Sequence, residues 1–134
     1  MAVIRHTRQR AAIREAFEIC DRPLSPDDVL AAARDHTEGL GIATVYRNIK
    51  ALVEEGWLVA VELPGQSPRY ELSGKGHHHH FQCNRCGQLF ELHGCVESFR
   101  KMIPAGFQIT AHEVLLYGTC RDCRGNSVKD RRRS

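Results

Sequence analysis

A chain of 134 residues, 42% hydrophobic and 26% charged, is long enough for one ordinary domain or two small ones with modest cores. No apolar run approaches the ~20 residues that span a bilayer, and the N-terminus lacks the apolar segment of a secretory leader, so a cytoplasmic protein with no membrane partner is expected. The formal charge of +3 divides unevenly, with nine Lys/Arg against eleven Asp/Glu in residues 1–72 and ten against five in residues 73–134; any DNA contact in the first half must therefore come from local clusters such as Arg5, Arg8, Arg10 and Arg14.

In chain order, Thr7 to Cys20 reads as a helix, with Ile13, Ala16 and Phe17 at the i, i+3, i+4 spacing of one apolar face. Arg22–Leu24 reads as a break. Ser25-Pro26-Asp27-Asp28 then starts a second helix: a hydroxyl N-cap, proline at the first helical position, and acids where the helix dipole favours them. Its buried side is Val29, Leu30 and Ala33. After a Gly39–Gly41 connection, Thr44 to Glu55 makes a third helix, with Val45, Ile49, Leu52 and Val53 inward and Gly56 as its stop. Tyr46, Arg47 and Lys50 fall on its other face near the N-terminal end, where a recognition helix presents residues to a major groove. Trp57–Leu63 and Arg69–Leu72 read as two strands joined by the turn-rich Pro64–Pro68. Three helices and a hairpin describe a winged helix, although the helix pattern alone fits a generic helical module with a solvated face equally well.

Ser73-Gly74-Lys75-Gly76 is a short flexible join. Beyond it, Phe81–Cys83, Gln88–Leu92 and Phe107–Tyr117 read as strands, and Cys95–Ile103 as a helix with Val96, Phe99 and Ile103 inward, stopped at Pro104-Ala105-Gly106. A half of about sixty residues is small for a self-sufficient apolar core, so a metal staple and a dimer interface are both natural supports. The fold class expected is α+β: a winged helix-turn-helix domain over 1–72, a hinge at 73–76, a small α/β dimerisation domain over 77–124, and a basic tail over 125–134.

Two C-x-x-C pairs, Cys83/Cys86 and Cys120/Cys123, supply four soft thiolates in two tight turns, the donor set of a closed tetrahedral structural zinc site. Disulfide pairing and simple burial are the alternatives. Such a site would staple the start of the second half to its end. The preceding run His77–His80 makes a separate statement. In a strand, alternate side chains face opposite ways, so His78 and His80 would serve one face and His77 and His79 the other, and one strand could feed two metal sites. An incidental solvated run or a tag scar is the plainer reading, disfavoured because the run is internal and leads directly into Cys83.

Taken together, Thr7–Arg10 (T-x-Q-R), Ser25–Val29 (SPDDV), Ala43–Ile49 (ATVYRNI), Arg69–Leu72 (RYEL), His77–Gly87 (HHHH-x-x-C-x-x-C-G) and Tyr117–Cys123 (YGTCRDC) resemble the ferric-uptake-regulator superfamily of bacterial metal-dependent repressors. The resemblance implies a winged helix hinged to a dimerisation domain. It implies structural zinc on Cys83, Cys86, Cys120 and Cys123, and DNA contacts from Tyr46, Arg47 and Arg10. It also implies a regulatory metal on Glu71, His78, His80 and Glu91, and a further metal on His77, Glu97 and His112, with His79 where iron-sensing members usually carry aspartate. The segment around Glu97 is shorter than in typical members, which loosens its alignment. Arg22-Pro23 stands where iron- and manganese-type members supply a regulatory histidine, and the cysteine that many zinc-sensing relatives carry near Ser73 is missing.

Two nitrogens and two carboxylates suit tetrahedral Zn2+ better than six-coordinate Fe2+, so a zinc-uptake repressor is favoured over an iron-responsive one; manganese, nickel and peroxide sensing rank behind. The partners expected are a pseudo-palindromic double-stranded DNA operator and a second copy of the chain, with no small organic substrate. Metal-storage protein and zinc hydrolase rank lower, because each leaves Tyr46, Arg47 and the winged helix idle and no nucleophile–base set stands out. Cys20 reads as a small buried hydrophobe. His93 and Cys95 read as turn and helix-start residues with an outside chance of joining a metal site or a redox role, His36 as a surface residue, and His6 carries no signal.

Overall fold

The computed structural model of the chain describes residues 2–95 and 97–125, and the side chains of residues 2–4 and of Glu97 lie outside that description. Val96, assigned above to a helix face, and residues 126–134 of the basic tail also lie outside the described residues. The chain divides into two compact units, Met1–Lys75 and Gly76–Ser134.

The first unit opens with α1 (Ala2–Cys20), which starts earlier than the expected Thr7 because nothing in the preceding residues stops a helix. It buries Ala12, Ile13, Ala16 and Phe17 and ends at Asp21, whose φ of 45° breaks the ladder. A reciprocal cap starts α2 (Pro26–Arg34): Asp28 N–H donates to Ser25 Oγ at 3.1 Å, and Ser25 N–H donates to the Asp28 carboxylate at 3.0 Å. α3 (Ile42–Glu54) buries Val45, Ile49 and Leu52 and stops at Gly56, where a φ of 82° lets the chain turn away. Phe17, Ile13, Leu24, Val29, Val45, Ile49, Leu52 and Leu58 form a single apolar cluster. Trp57 stands edge-on to Phe17, with ring centroids 6.2 Å apart, and carries the Arg14 guanidinium 4.7 Å from its own centroid.

β1 (Leu58–Leu63) and β2 (Gln66–Leu72) form the antiparallel hairpin. The turn is tighter than the expected Pro64–Pro68 loop, because β2 begins at Gln66. Pro68 is tolerated within the strand because the ladder shifts register between Val61 and Leu63, where its missing N–H is not needed. Arg22–Leu24 is more than a break: Leu24 and Tyr70 exchange both backbone hydrogen bonds, at 2.8 and 2.9 Å, and tie the hairpin to the helices.

In the second unit, β3 (His79–Cys83) is the central strand, antiparallel to β4 (Leu89–Leu92) and parallel to β5 (Leu115–Gly118). The Cys95–Ile103 helix is corrected to a 3₁₀ turn over Glu97–Lys101, and the Phe107–Tyr117 strand to β5 alone. Among the described residues β5 pairs with β3 alone, and β3 has five residues to offer. A final short helix, α4 (Arg121–Gly125), was not anticipated. Among the described residues of this unit only His79, Gln82, Cys83 and Leu89 are buried, so no apolar cluster like that of the first unit is present.

Ser25→Ala removes one half of the α2 cap and leaves the Asp28 amide without its acceptor. Unfolding of the first unit by urea should show a loss of about 1 kcal/mol; an unchanged midpoint would mean that water replaces the hydroxyl at no cost.

Candidate metal centres and nucleic-acid face

The C-terminal end of β3 delivers Cys83 into a turn that returns Cys86, while α4 begins next to Cys120 and its first turn carries Cys123. The four sulfurs lie within 4.8 Å of one another. Cys86 Sγ and Cys120 Sγ are 3.8 Å apart, which is the ~3.8 Å edge of a tetrahedron with ~2.3 Å metal–sulfur bonds and far outside the ~2.05 Å of a disulfide. None of the six cysteines is in a disulfide. The donor set therefore fits a soft, tetrahedral ion.

Backbone geometry prepares one of the four to be a thiolate. The amides of Cys120 and Arg85 point at Cys83 Sγ from 3.3 and 3.4 Å. Amide donors, first that of Cys120 and then that of Cys86, outweigh burial and draw the Cys83 thiol down to about 6. Cys123 is pushed up to about 12, chiefly by its hydrogen bond to Cys120 and then by burial, and Cys86 is raised chiefly by burial. Without an ion the shifts are thus of opposite sign, downward at Cys83 and upward at Cys86 and Cys123. A divalent cation reverses this by stabilising every thiolate together, so its affinity falls as pH falls.

The histidine rings sort into two sets. Those of His78 and His80 lie 4.9 Å apart, and His80 pairs across the ladder with Glu91 on the same face of the sheet. His78 Nδ1 donates to the Gly76 carbonyl at 2.8 Å, which in the neutral ring places the lone pair on Nε2. Glu71, in the first unit, lies on β2 opposite Val59 and is 3% exposed.

His77 and His79 form the other set, their rings 4.5 Å apart, and His112 joins them at 4.7 Å from His77 and 5.0 Å from His79. The fourth member is Cys95. Its Sγ is 2.8 Å from His112 Nε2 and 3.4 Å from His79 Nε2. The sequence reading put Glu97 here; its backbone lies in the 3₁₀ turn. The sequence carried one signal for Cys95, its place one short loop after Glu91, but that did not separate it from an ordinary turn residue. His79 is buried and its pKa is lowered, first by desolvation and then by repulsion from His77, His112, His78 and His80, so the ring stays neutral. Its Nδ1 accepts the Val114 N–H at 3.2 Å. A metal on Nε2 would move the ring proton to Nδ1 and give up that hydrogen bond, a cost of about 1 kcal/mol.

Tyr46, Arg47 and Lys50 are exposed on α3, opposite its buried Val45 and Ile49. Arg47 Nη2 donates to Thr44 Oγ1 at 3.0 Å, which steadies a side chain that otherwise projects into solvent. Arg10, half-exposed on α1, is ion-paired with Glu55. It lines an open depression with His6, Thr7 and Asn48. Among the described residues no helix is long and apolar enough to cross a membrane.

Residues 2–117 match the profile of the ferric uptake regulator family. The ferric uptake regulation protein of Vibrio vulnificus is 32% identical, over 99% of this chain and 93% of its own length. The zinc uptake regulation protein of Mycobacterium tuberculosis is also 32% identical, over 92% of this chain and 97% of its own. Among solved structures, the ferric uptake regulator of Francisella tularensis with iron superposes with a TM-score of 0.65 at 31% identity, covering 87% of this chain and 91% of that one.

Cys83→Ser removes the buried sulfur from a unit that has no apolar cluster to fall back on. Hydrogen exchange should show the amides of β3, β4 and β5 losing protection while those of α1–α3 keep theirs; equal protection in both proteins would mean that the sheet stands without the four-sulfur set.

Proposed function

The chain belongs to the ferric uptake regulator family, whose members are transcriptional regulators rather than enzymes, and on that premise we propose that it is a metal-dependent repressor of metal-uptake genes, with Zn2+ as the sensed ion. The single observation that carries this reading is the pairing of the His78 ring, just before β3, with that of His80, which faces Glu91 across the ladder, in a set separate from the four sulfurs, of which Cys83 stands at the other end of β3. A structural ion and a sensed ion need separate donor sets, and residues 77–86 contribute to both.

On this reading Cys83, Cys86, Cys120 and Cys123 hold a structural Zn2+. His78, His80 and Glu91 from the second unit, with Glu71 from the first, hold the regulatory ion. Because those ligands belong to both units, metal favours one arrangement of the two across residues 73–76 and acts by population shift. A homodimer so arranged presents two α3 helices, with Tyr46, Arg47 and Lys50, to successive major grooves of a pseudo-palindromic operator, and Arg10 reaches a phosphate once it leaves Glu55. The further metal set is His77, His79 and His112 with Glu97.

An iron-responsive regulator is the second reading, favoured by the iron held by the Francisella tularensis protein. Donor chemistry tips the choice to zinc: two imidazoles and two carboxylates make a four-coordinate set, and Arg22 stands where a further imidazole would help complete an octahedron.

The test uses the full-length chain, stripped of exchangeable metal but retaining the four-cysteine ion, and duplex DNA that the metal-loaded protein selects from a randomised pool. Buffered Zn2+ should tighten binding at fixed salt, and His80→Ala should abolish that response while sedimentation still finds a dimer. Binding that tightens only with Fe2+ would transfer the same mechanism to iron. Binding unaffected by any metal would sink it.

A further inference from the structure

That scheme gives Cys95 no role, although its sulfur stands in one donor group with His77, His79 and His112. Its placement is the work of the turn after β4, where Gly94 adopts a φ of 102° and folds the chain back toward β3. One donor atom from each of His77, His79, Cys95 and His112 lies within 4.8 Å of the others. The measured separations are 3.0 Å for His77 Nε2 to His112 Nε2, 2.8 Å for Cys95 Sγ to His112 Nε2 and 3.4 Å for Cys95 Sγ to His79 Nε2. A tetrahedral ion with ~2.05 Å bonds to nitrogen and ~2.3 Å to sulfur sets nitrogens ~3.3 Å apart and nitrogen and sulfur ~3.6 Å apart. The three measured separations are each shorter than the matching tetrahedral edge, so an ion would spread these donors apart and, on His79, displace the Val114 hydrogen bond.

We propose that Cys95, as a thiolate, is the fourth ligand of a metal site with His77, His79 and His112, and that this donor makes the site select Zn2+ over Fe2+ and Mn2+. The inference rests on the reading that these histidines hold a metal, and it replaces the carboxylate of Glu97 by a sulfur. The replacement changes the chemistry. A carboxylate among imidazoles is acceptable to iron and manganese, whereas three imidazoles and one thiolate form a compact, borderline-soft set that favours zinc and disfavours ions that prefer oxygen. On binding, Zn2+ enters, the Cys95 sulfur gives its proton to solvent, and the ring proton passes from Nε2 to Nδ1 in His79 and in whichever of His77 and His112 donates in their Nε2–Nε2 contact. No oxidant or reductant is required.

Co2+ is the probe, because it takes tetrahedral sites and a sulfur ligand gives it a near-ultraviolet charge-transfer absorption that nitrogen and oxygen ligands do not. The full-length chain is used with Zn2+ kept in the four-cysteine set, alongside Cys95→Ser and Glu97→Gln, which share that set and so cancel any exchange there. The expected result is a charge-transfer band in the unaltered chain and in Glu97→Gln that is absent from Cys95→Ser. Zn2+ affinity at this site should also fall in Cys95→Ser by at least the ~10–100-fold that loss of an outer-shell partner costs. Co2+ binding that is lost in His112→Ala but shows no charge transfer in the unaltered chain would overturn the thiolate while preserving the histidine site. A band unchanged in Cys95→Ser would do the same. If His77→Ala and His112→Ala leave Co2+ stoichiometry unchanged, the histidine site itself is wrong, and the thiolate falls with it.

Discussion

Four sulfurs brought to one point are the constraint on which the second unit depends. Cys83 and Cys86 flank the turn after β3, and Cys120 and Cys123 flank the entry to α4, so the cluster joins the middle of the chain to its end. Between them, the described residues of 93–114 contain one short 3₁₀ turn and otherwise irregular backbone. A parallel pair such as β3 and β5 needs a crossover, and among its described residues there is no helix long enough to pack on the sheet. What holds β5 in register is local. The Asn84 amide bonds the Gly118 carbonyl at 2.7 Å, the Phe81 ring lies so close to Gly118 that a β-carbon there would meet it at 2.8 Å, and the Cys120 amide reaches Cys83 Sγ. Each of these contacts lies within a few residues of the sulfurs.

The first unit is stabilised differently. Its helices bury one apolar cluster, its second helix is capped by its own side chains, and Leu24 locks the hairpin to the bundle. Nothing in it needs a metal. The exposed Tyr46, Arg47 and Lys50 are carried on a helix whose opposite face is buried in that cluster, which fixes their direction before any partner arrives. Order in the first unit thus has its origin in apolar burial, whereas the second has no such cluster among its described residues and instead gathers four sulfurs at one point.

How much of this was legible from the sequence follows the same division. Periodicity and capping located α2 and α3, because those signals arise from residues that are neighbours in the chain. Alternation anticipated the two sets of histidine rings at the start of β3 and just before it for the same reason. The expected strand over residues 107–117 shrank to β5 because alternation reports a chain's preference and not the length of the strand available to pair with it. The helix expected from Cys95 gave way to a short 3₁₀ turn between two glycine-bearing connections. Five residues are too few to show a period, so α4 left no signal beyond its C-x-x-C. Cys95 was the hardest to read, because its neighbours His77, His79 and His112 come together only through β3 and the backbone approaching β5, which no local pattern encodes.

The histidines alone do not decide which ion the protein senses. Imidazole is acceptable to zinc, iron and manganese alike, and a run of four supplies two donors to each face of the strand whatever the ion. Discrimination would fall to what completes each set: a carboxylate such as Glu91 beside His78 and His80, and, on the proposal above, the Cys95 sulfur beside His77 and His79. A strand rises ~3.3 Å per residue, so the step from His79 to His80 moves a ligand only that far along the axis while turning it to the opposite face and into a chemically different neighbourhood. One segment of regular backbone can therefore carry two ions of different preference without either set borrowing from the other. A register slip of one residue would exchange the two neighbourhoods. The pairing of His80 with Glu91 and with Leu115, on both sides of β3, is what forbids it.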